Sequence, residues 1–205
     1  MKEFIVSLRF CAVTLLLCCL LYPCSVTGMA HLLFAHQAGG SLLFDSDGTV
    51  VGSELIGQEF TSPGYFHSRP SVGGYDPLNS GGSNLGPTSQ ALRARIGSDA
   101  RRLREELGMD STGKAGAGVP IDLVTMSGSG LDPHISPASA RMQVTRVAAA
   151  RGISPALLQE IVDRFTRGRE LAILGEPRVA VLPLNIALDS RFGTPLRLCP
   201  RVSEN

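Results

Sequence analysis

Residues 10–30 form a run of 21 residues without a charge, and no other feature limits the fold of this chain as strongly. A hydrocarbon core about 30 Å thick takes roughly 20 helical residues to cross, so the run is long enough to span a bilayer. Leu15, Leu16, Leu17, Leu20 and Leu21 make its middle densely apolar, and Phe10, Val13 and Val26 extend it. Pro23, late in the run, is expected to kink the helix, a defect that membrane helices tolerate. The expected organisation is a short N-terminus over residues 1–9, a transmembrane helix over residues 10–33, a soluble domain over residues 36–190 and a disordered tail over residues 191–205.

Lys2 and Arg9 precede the run, and the next Lys or Arg is Arg69. Basic residues are retained on the cytoplasmic side, so the N-terminus is expected in the cytoplasm and the domain outside it. A cleaved leader is the alternative on pattern alone, because Gly28 and Ala30 supply small residues for a processing site. Cys24 fits a lipoprotein signal poorly, since Tyr22 and Pro23 stand where small residues belong.

From residue 36 onward the chain carries 17 basic and 17 acidic side chains. A neutral domain is not built to neutralise phosphates, so no nucleic-acid partner is expected. The Arg cluster at Arg93, Arg95, Arg101, Arg102 and Arg104 is interleaved with Asp99, Glu105 and Glu106, as on a solvated helix face. Cys11, Cys18, Cys19 and Cys24 lie in the apolar run, where cysteine acts as a small apolar residue. Cys199 alone remains, and a single thiol closes no internal disulfide.

The domain reads as mixed helices and strands without regular alternation, an α+β fold. Leu42, Leu43 and Phe44, the turn signal Asp47-Gly48, then Val50 and Val51 predict a hairpin. Residues 61–87 are rich in Gly, Ser, Pro and Asn, with Tyr65, Phe66 and Tyr75 embedded; a loop of this length is functional or disordered. A helix is predicted from a cap at Thr88 to about Leu107, then a flexible connector over residues 108–118. Residues 121–126 read as a buried strand. Ser136-Pro137 and Ser154-Pro155 each place a capping Ser before a Pro at the first helical position, predicting helices over 137–150 and 155–167. Two short strands, 171–174 and 179–182, and a helix over 183–188 complete the pattern.

Motifs that carry chemistry are incomplete. Gly108, Gly113 and Lys114 have P-loop spacing, but Ala115 stands where a magnesium-binding hydroxyl is needed. Ser127, Gly128, Ser129 and Gly130 suit either a nest of N–H groups for an anion or a tight turn. Ser129, His134 and Asp132 are the residue types of a hydrolase triad, yet they crowd into one loop and lack a nucleophile elbow. His31, His36, His67 and His134 are scattered without metal-binding spacing. No catalytic set, metal site or tightly bound cofactor is expected.

Several long strings together resemble one family. VGSELIGQEF at 51–60, SPGYFHSR at 62–69, YDPLNSGGSNLGPTS at 75–89, DLVTMSGSGLDPHISPASA at 122–140, QVTRVAAARG at 143–152 and LGEPRVAVLPLNIALD at 174–189 are similar to the KdpC family. That family is the C subunit of the bacterial Kdp ATP-driven potassium pump. The resemblance implies a single-pass, non-catalytic subunit of the bacterial plasma membrane, with a retained anchor in contact with lipid. Its implied partners are a channel-like potassium-selecting subunit and a P-type ATP-hydrolysing subunit. It also implies a catalytic-chaperone role, in which ATP affinity of the hydrolysing subunit rises through a transient ternary complex.

Two sets of site residues follow as expectations. Tyr65, Phe66, Arg69, Tyr75, Asp76, Asn79 and Asn84 are candidates for partner contact, since aromatics and Arg anchor protein interfaces; the alternative is that Tyr65 and Phe66 pack under their own loop. Direct nucleotide contact would use Ser127, Gly128, Ser129 and Gly130 with His134, Gln143 and Arg146. An outward-facing domain sits uneasily with cytoplasmic ATP, which favours a structural role against the potassium-selecting subunit.

Overall fold

The structure, a computed structural model, describes residues 1–45, 47–107 and 118–195. It forms two compact units, Met1–Ser53 and Glu54 onward. The P-loop-like residues 108–115, most of the expected connector, and Cys199 lie outside the described residues.

In the first unit, α1 (Lys2–Leu33) is a continuous helix of 32 residues, about 48 Å at 1.5 Å per residue. It begins well before the uncharged run. The expected disturbance at Pro23 takes the form of a π-helical stretch, Leu16–Leu21, between α-helical parts Lys2–Leu15 and Tyr22–Leu33. Pro23 offers no N–H to the preceding turn, and the widened turn accommodates that loss. No residue of α1 is buried by the chain, and its length and composition suffice to cross a membrane. A short α2 (Ala35–Ala38) follows. Then β1 (Leu42–Phe44) and β2 (Val50–Ser53) pair antiparallel around Asp47 and Gly48, as predicted. The Asp47 carboxylate accepts the Thr49 N–H at 3.0 Å and the Thr49 hydroxyl at 2.7 Å. These bonds, the hydroxyl's foremost, hold the Asp47 carboxyl below its usual range.

The second unit opens with the long loop, interrupted by a single 3-10 turn, Pro77–Asn79. Helix α3 (Gln90–Glu106) is capped by Ser89, whose hydroxyl accepts the Leu92 N–H, and not by Thr88. Two of its five arginines pair within the helix: Arg95 with Asp99, and Arg102 with Asp99 and Glu106. None of its residues is buried. Where a strand was predicted, Ile121–Val124 forms one turn of helix, α4, with Leu123 and Val124 buried.

Helices α5 (Pro137–Arg151) and α6 (Pro155–Phe165) begin at their Ser-Pro signals. The Ser136 hydroxyl accepts the Ser139 N–H at 3.1 Å. Gly152, at φ +66°, ends α5 in the left-handed conformation, and Ile153 N–H reaches back to the Ala148 carbonyl. The sheet has the order β3-β5-β4, from β3 (His134–Ile135), β4 (Thr166–Arg167) and β5 (Arg178–Ala180), all antiparallel. The expected strand over 171–174 is instead the tip of the β4–β5 connection. Helix α7 (Val181–Phe192) starts earlier and ends later than expected, and its end takes in the first residues of the predicted tail. Pro183 fits because first-turn N–H groups have no intrahelical partner.

One core joins these elements. Val144, Val147 and Ala148 of α5, Leu158 and Val162 of α6, Val179 of β5, and Leu184 and Leu188 of α7 close around Phe66. With antiparallel strands and helices grouped on one core, the fold is α+β behind a single N-terminal apolar helix.

Candidate functional site

Residues 62–69, a turn at 62–65 closed by the Tyr65 N–H on the Ser62 carbonyl and then a stretch without strand partners, are held by side chains from two helices. Phe66 and His67 are each gripped by an amide. Asn185 of α7 accepts the Phe66 N–H at 2.9 Å and donates to the Phe66 carbonyl at 3.0 Å. Gln143 of α5 does the same for His67, at 2.8 and 3.2 Å. Two amides thus replace the ladder a neighbouring strand would supply, which a buried backbone requires.

Arginines take the three carbonyls that precede Phe66, those of Pro63, Gly64 and Tyr65. Arg146 donates to the Pro63 and Tyr65 carbonyls and to the Gln143 side chain. Arg151, with its side chain 2% exposed, donates to the Gly64 and Gly193 carbonyls and pairs with Asp189 at 2.8 Å. Its guanidinium also lies 5.1 Å from the Tyr65 ring centre. The Tyr65 hydroxyl donates to the other Asp189 oxygen at 2.8 Å.

His67 faces a cleft of ≈ 450 Å³ between this loop and the C-terminal turns of α3, lined also by Ser68, Tyr75, Arg102, Glu106 and Arg146. Burial, reinforced by the Arg146 charge, pushes the His67 imidazole down to about 4. Its Nε2 lies 3.2 Å from the Ser62 carbonyl, so in the neutral ring that nitrogen carries the proton. Burial pushes the Tyr75 phenol up to about 12; its hydroxyl donates to the Arg69 carbonyl at 2.6 Å.

A second cleft, ≈ 620 Å³, runs beside β3 and is lined by Arg69, Asp122, Asp132, His134, Glu176 and Arg178 among others. The β3 register with β5 turns the His134 and Ser136 amides away from the sheet. Carboxylates take both: Asp132 accepts the His134 N–H at 3.0 Å and Asp122 the Ser136 N–H at 2.7 Å. Asp132 also pairs with Arg69 at 3.1 Å, and Arg69 reaches the Met126 carbonyl. Burial lowers the His134 pKa against the opposing pull of Asp132.

The two predicted sets are redistributed by the fold. Ser127, Gly128, Ser129 and Gly130 form a turn braced on the long loop. The Ser127 N–H donates to the Pro70 carbonyl, while the Ser129 carbonyl accepts the Gly81 N–H and the Ser80 hydroxyl. Gly130, at φ +71°, lies so near the loop that a Cβ would stand 2.9 Å from the Gly81 carbonyl oxygen. His134 lines the 620 Å³ cleft, whereas Gln143 and Arg146 line the 450 Å³ one. The Ser129 hydroxyl accepts the Leu131 N–H, and Asp132 is turned to Arg69 and the backbone, so no triad forms.

Phe66, expected at a partner surface, is instead fully buried and central to the core; the cause is the apolar pocket between α5 and α7. Tyr65 is half-buried. Asp76 caps the 3-10 turn through Leu78 N–H, Asn79 ends that turn, and Tyr75 and Asn84 hold positive φ. Arg151, Asn185, Asp189 and Asp122 escaped the sequence reading. The usable signal was polar residues on helices' apolar faces, as at Asn185 between Leu184 and Leu188.

Comparison with known proteins gives a family match over residues 4–190 to the model described as KdpC, the K+-transporting ATPase c chain. The potassium-transporting ATPase KdpC subunit of Myxococcus xanthus is 54% identical over 194 residues, covering 94% of this chain and 90% of that protein. That of Koribacter versatilis is 47% identical over 196 residues, 95% of this chain and 97% of its own. The subunit of Gemmatimonas aurantiaca is 54% identical over 178 residues, covering 85% and 86%.

Proposed function

The chain belongs to the KdpC family, and on that premise we propose that it is the non-catalytic, membrane-anchored accessory subunit of an ATP-driven potassium-uptake pump. The observation that carries this reading is the match across residues 4–190, which takes in α1 as well as the domain. With Lys2 and Arg9 ahead of the apolar run and no Lys or Arg after it until Arg69, α1 crosses the bacterial plasma membrane with its N-terminus inside and the domain outside.

The domain clasps the outer face of the channel-like potassium-selecting subunit and stabilises its assembly with the P-type ATP-hydrolysing subunit. Support comes from the hydrogen bonds that hold residues 62–69 and from polar groups already engaged within the fold: Gln143 and Arg146 hold the loop, and Ser129 and Asp132 hold backbone amides. Any rise in ATP affinity of the hydrolysing subunit is transmitted through subunit contacts, with no nucleotide held tightly by this chain.

Recovery of the tagged full chain from its native membrane tests the reading. The other pump subunits are expected in the same detergent-solubilised particle, and a chain recovered alone counts against it.

A further inference from the structure

The uncharged stretch does not stop with α1. No Asp, Glu, Lys or Arg stands between Arg9 and Asp45, so the stretch runs on through α2 and the whole of β1. A helix entering the hydrocarbon at Phe10 crosses its roughly 30 Å in about 20 residues, which brings the outer boundary to the neighbourhood of Ala30. Leu32, Leu33 and Phe34 follow, all apolar and all exposed. Phe34, at φ −136° and ψ 48°, breaks the helical run and turns α2 off the axis of α1. Ser41 then bends the chain at φ +49°, its N–H donating to the His36 carbonyl at 2.9 Å. The Ser53 hydroxyl donates to the Gly40 carbonyl at 2.7 Å, so the far end of β2 is tied back to the point where β1 begins. Helix and hairpin belong to the same compact unit.

The hairpin carries an apolar face. Phe44 stands opposite Val50 in the register, and cross-strand partners share a face. Leu42, two positions along β1, lies on that face as well. Phe44 and Val50 are each 57% exposed and Leu42 37%. We propose that the β1–β2 hairpin lies flat on the outer surface of the bilayer that α1 crosses, with Phe44, Val50 and Leu42 set into the boundary between headgroups and acyl chains. The inference rests on the anchored-subunit reading above. Place identifies lipid as the occupant. Leu42 comes only eight residues after Phe34, four of them wound into α2, so the hairpin starts close to the headgroup layer. Charge identifies the kind of contact. Asp45 and Asp47 stand toward the turn, Asp47 already engaged by Thr49, and no basic residue occurs anywhere in the hairpin. Binding therefore comes from apolar burial and not from attraction to anionic headgroups, so a neutral phosphatidylcholine surface suffices.

The chain has no tryptophan, so Phe44→Trp supplies its sole indole and keeps an aromatic residue suited to a strand. The full-length variant is placed in phosphatidylcholine nanodiscs whose acyl chains carry bromine either near the headgroup or near the bilayer centre. Blue-shifted emission is expected, with quenching by the shallow bromines at least about twofold stronger than by the deep ones, as an immersion of about 5–10 Å requires. Leu20→Trp, in the middle of α1, should be quenched most by the deep bromines. Failure of that control removes the anchored reading and the proposal with it. An unquenched Phe44→Trp beside a quenched Leu20→Trp overturns the hairpin's place alone. A photoreactive phenylalanine analogue at position 44, illuminated in the native membrane with the other pump subunits present, gives an independent readout. Phospholipid adducts are expected, whereas adducts only with another subunit or with a second copy of this chain, or none, overturn the proposal.

Discussion

Asn185 and Phe66 share two hydrogen bonds, one in each direction, inside the core: the amide oxygen takes the Phe66 N–H and the amide nitrogen gives to its carbonyl. Both residues are all but inaccessible, at 1% and 0% exposed. Asn185→Ala strands a buried donor and a buried acceptor and leaves a void beside Phe66. A loss of about 2–4 kcal/mol is expected in denaturant unfolding; a loss under about 0.5 kcal/mol would show that the amide does not hold the loop.

His67 makes the domain sensitive to acid. Its folded pKa, near 4, lies below the 6.5 of the unfolded chain, and burial is the main cause. Between those values the unfolded chain binds the extra proton, so this contribution is intact above about pH 6.5. It drains away as the pH falls toward 4, on the order of 3 kcal/mol in all. His134, also lowered by burial, acts in the same direction. Stability measured from pH 7.5 to 4.5 should fall more steeply in the wild type than in His67→Gln; parallel curves would exclude His67 as the source.

Two glycines two positions apart, Gly128 and Gly130, separate a bracing turn from an anion cradle. A Cβ at Gly130 meets the Gly81 oxygen at 2.9 Å and the Ser71 hydroxyl at 3.1 Å, at a positive φ, whereas one at Gly128 meets nothing within 4 Å. Gly130→Ala should cost about 2 kcal/mol or more and Gly128→Ala within about 0.5 kcal/mol, judged by thermal unfolding. Equal effects would contradict the bracing role.

Leu78, 96% exposed on the 3-10 turn, is a reporter of sidedness. In a Cys199→Ser background, Leu78→Cys should react with a membrane-impermeant maleimide in intact cells. Reaction only after the cells are broken would place the domain in the cytoplasm.

Much of the architecture was readable where local chemistry decides the backbone. The Asp47-Gly48 hairpin and both Ser-Pro helix starts fall where the residues put them. Short apolar runs misled, because four or five such residues carry too little periodicity to separate strand from helix from turn. Ile121–Val124 became a helical turn, and residues 171–174 a strained tip. The site was harder still. Gln143 and Arg146 were visible as polar helix residues, but their partners lie 76 to 83 positions away in the chain, and no local pattern encodes that meeting.

The carboxylates of Asp122 and Asp132 beside β3 have a consequence for life in a crowded bilayer. Subunits confined to one plane collide often, and an open strand margin would invite a neighbouring copy to add on. Here the two amides that such a neighbour would need are already occupied, by residues of the chain itself. The β3 margin of the sheet is therefore closed to strand addition by the chain's own carboxylates.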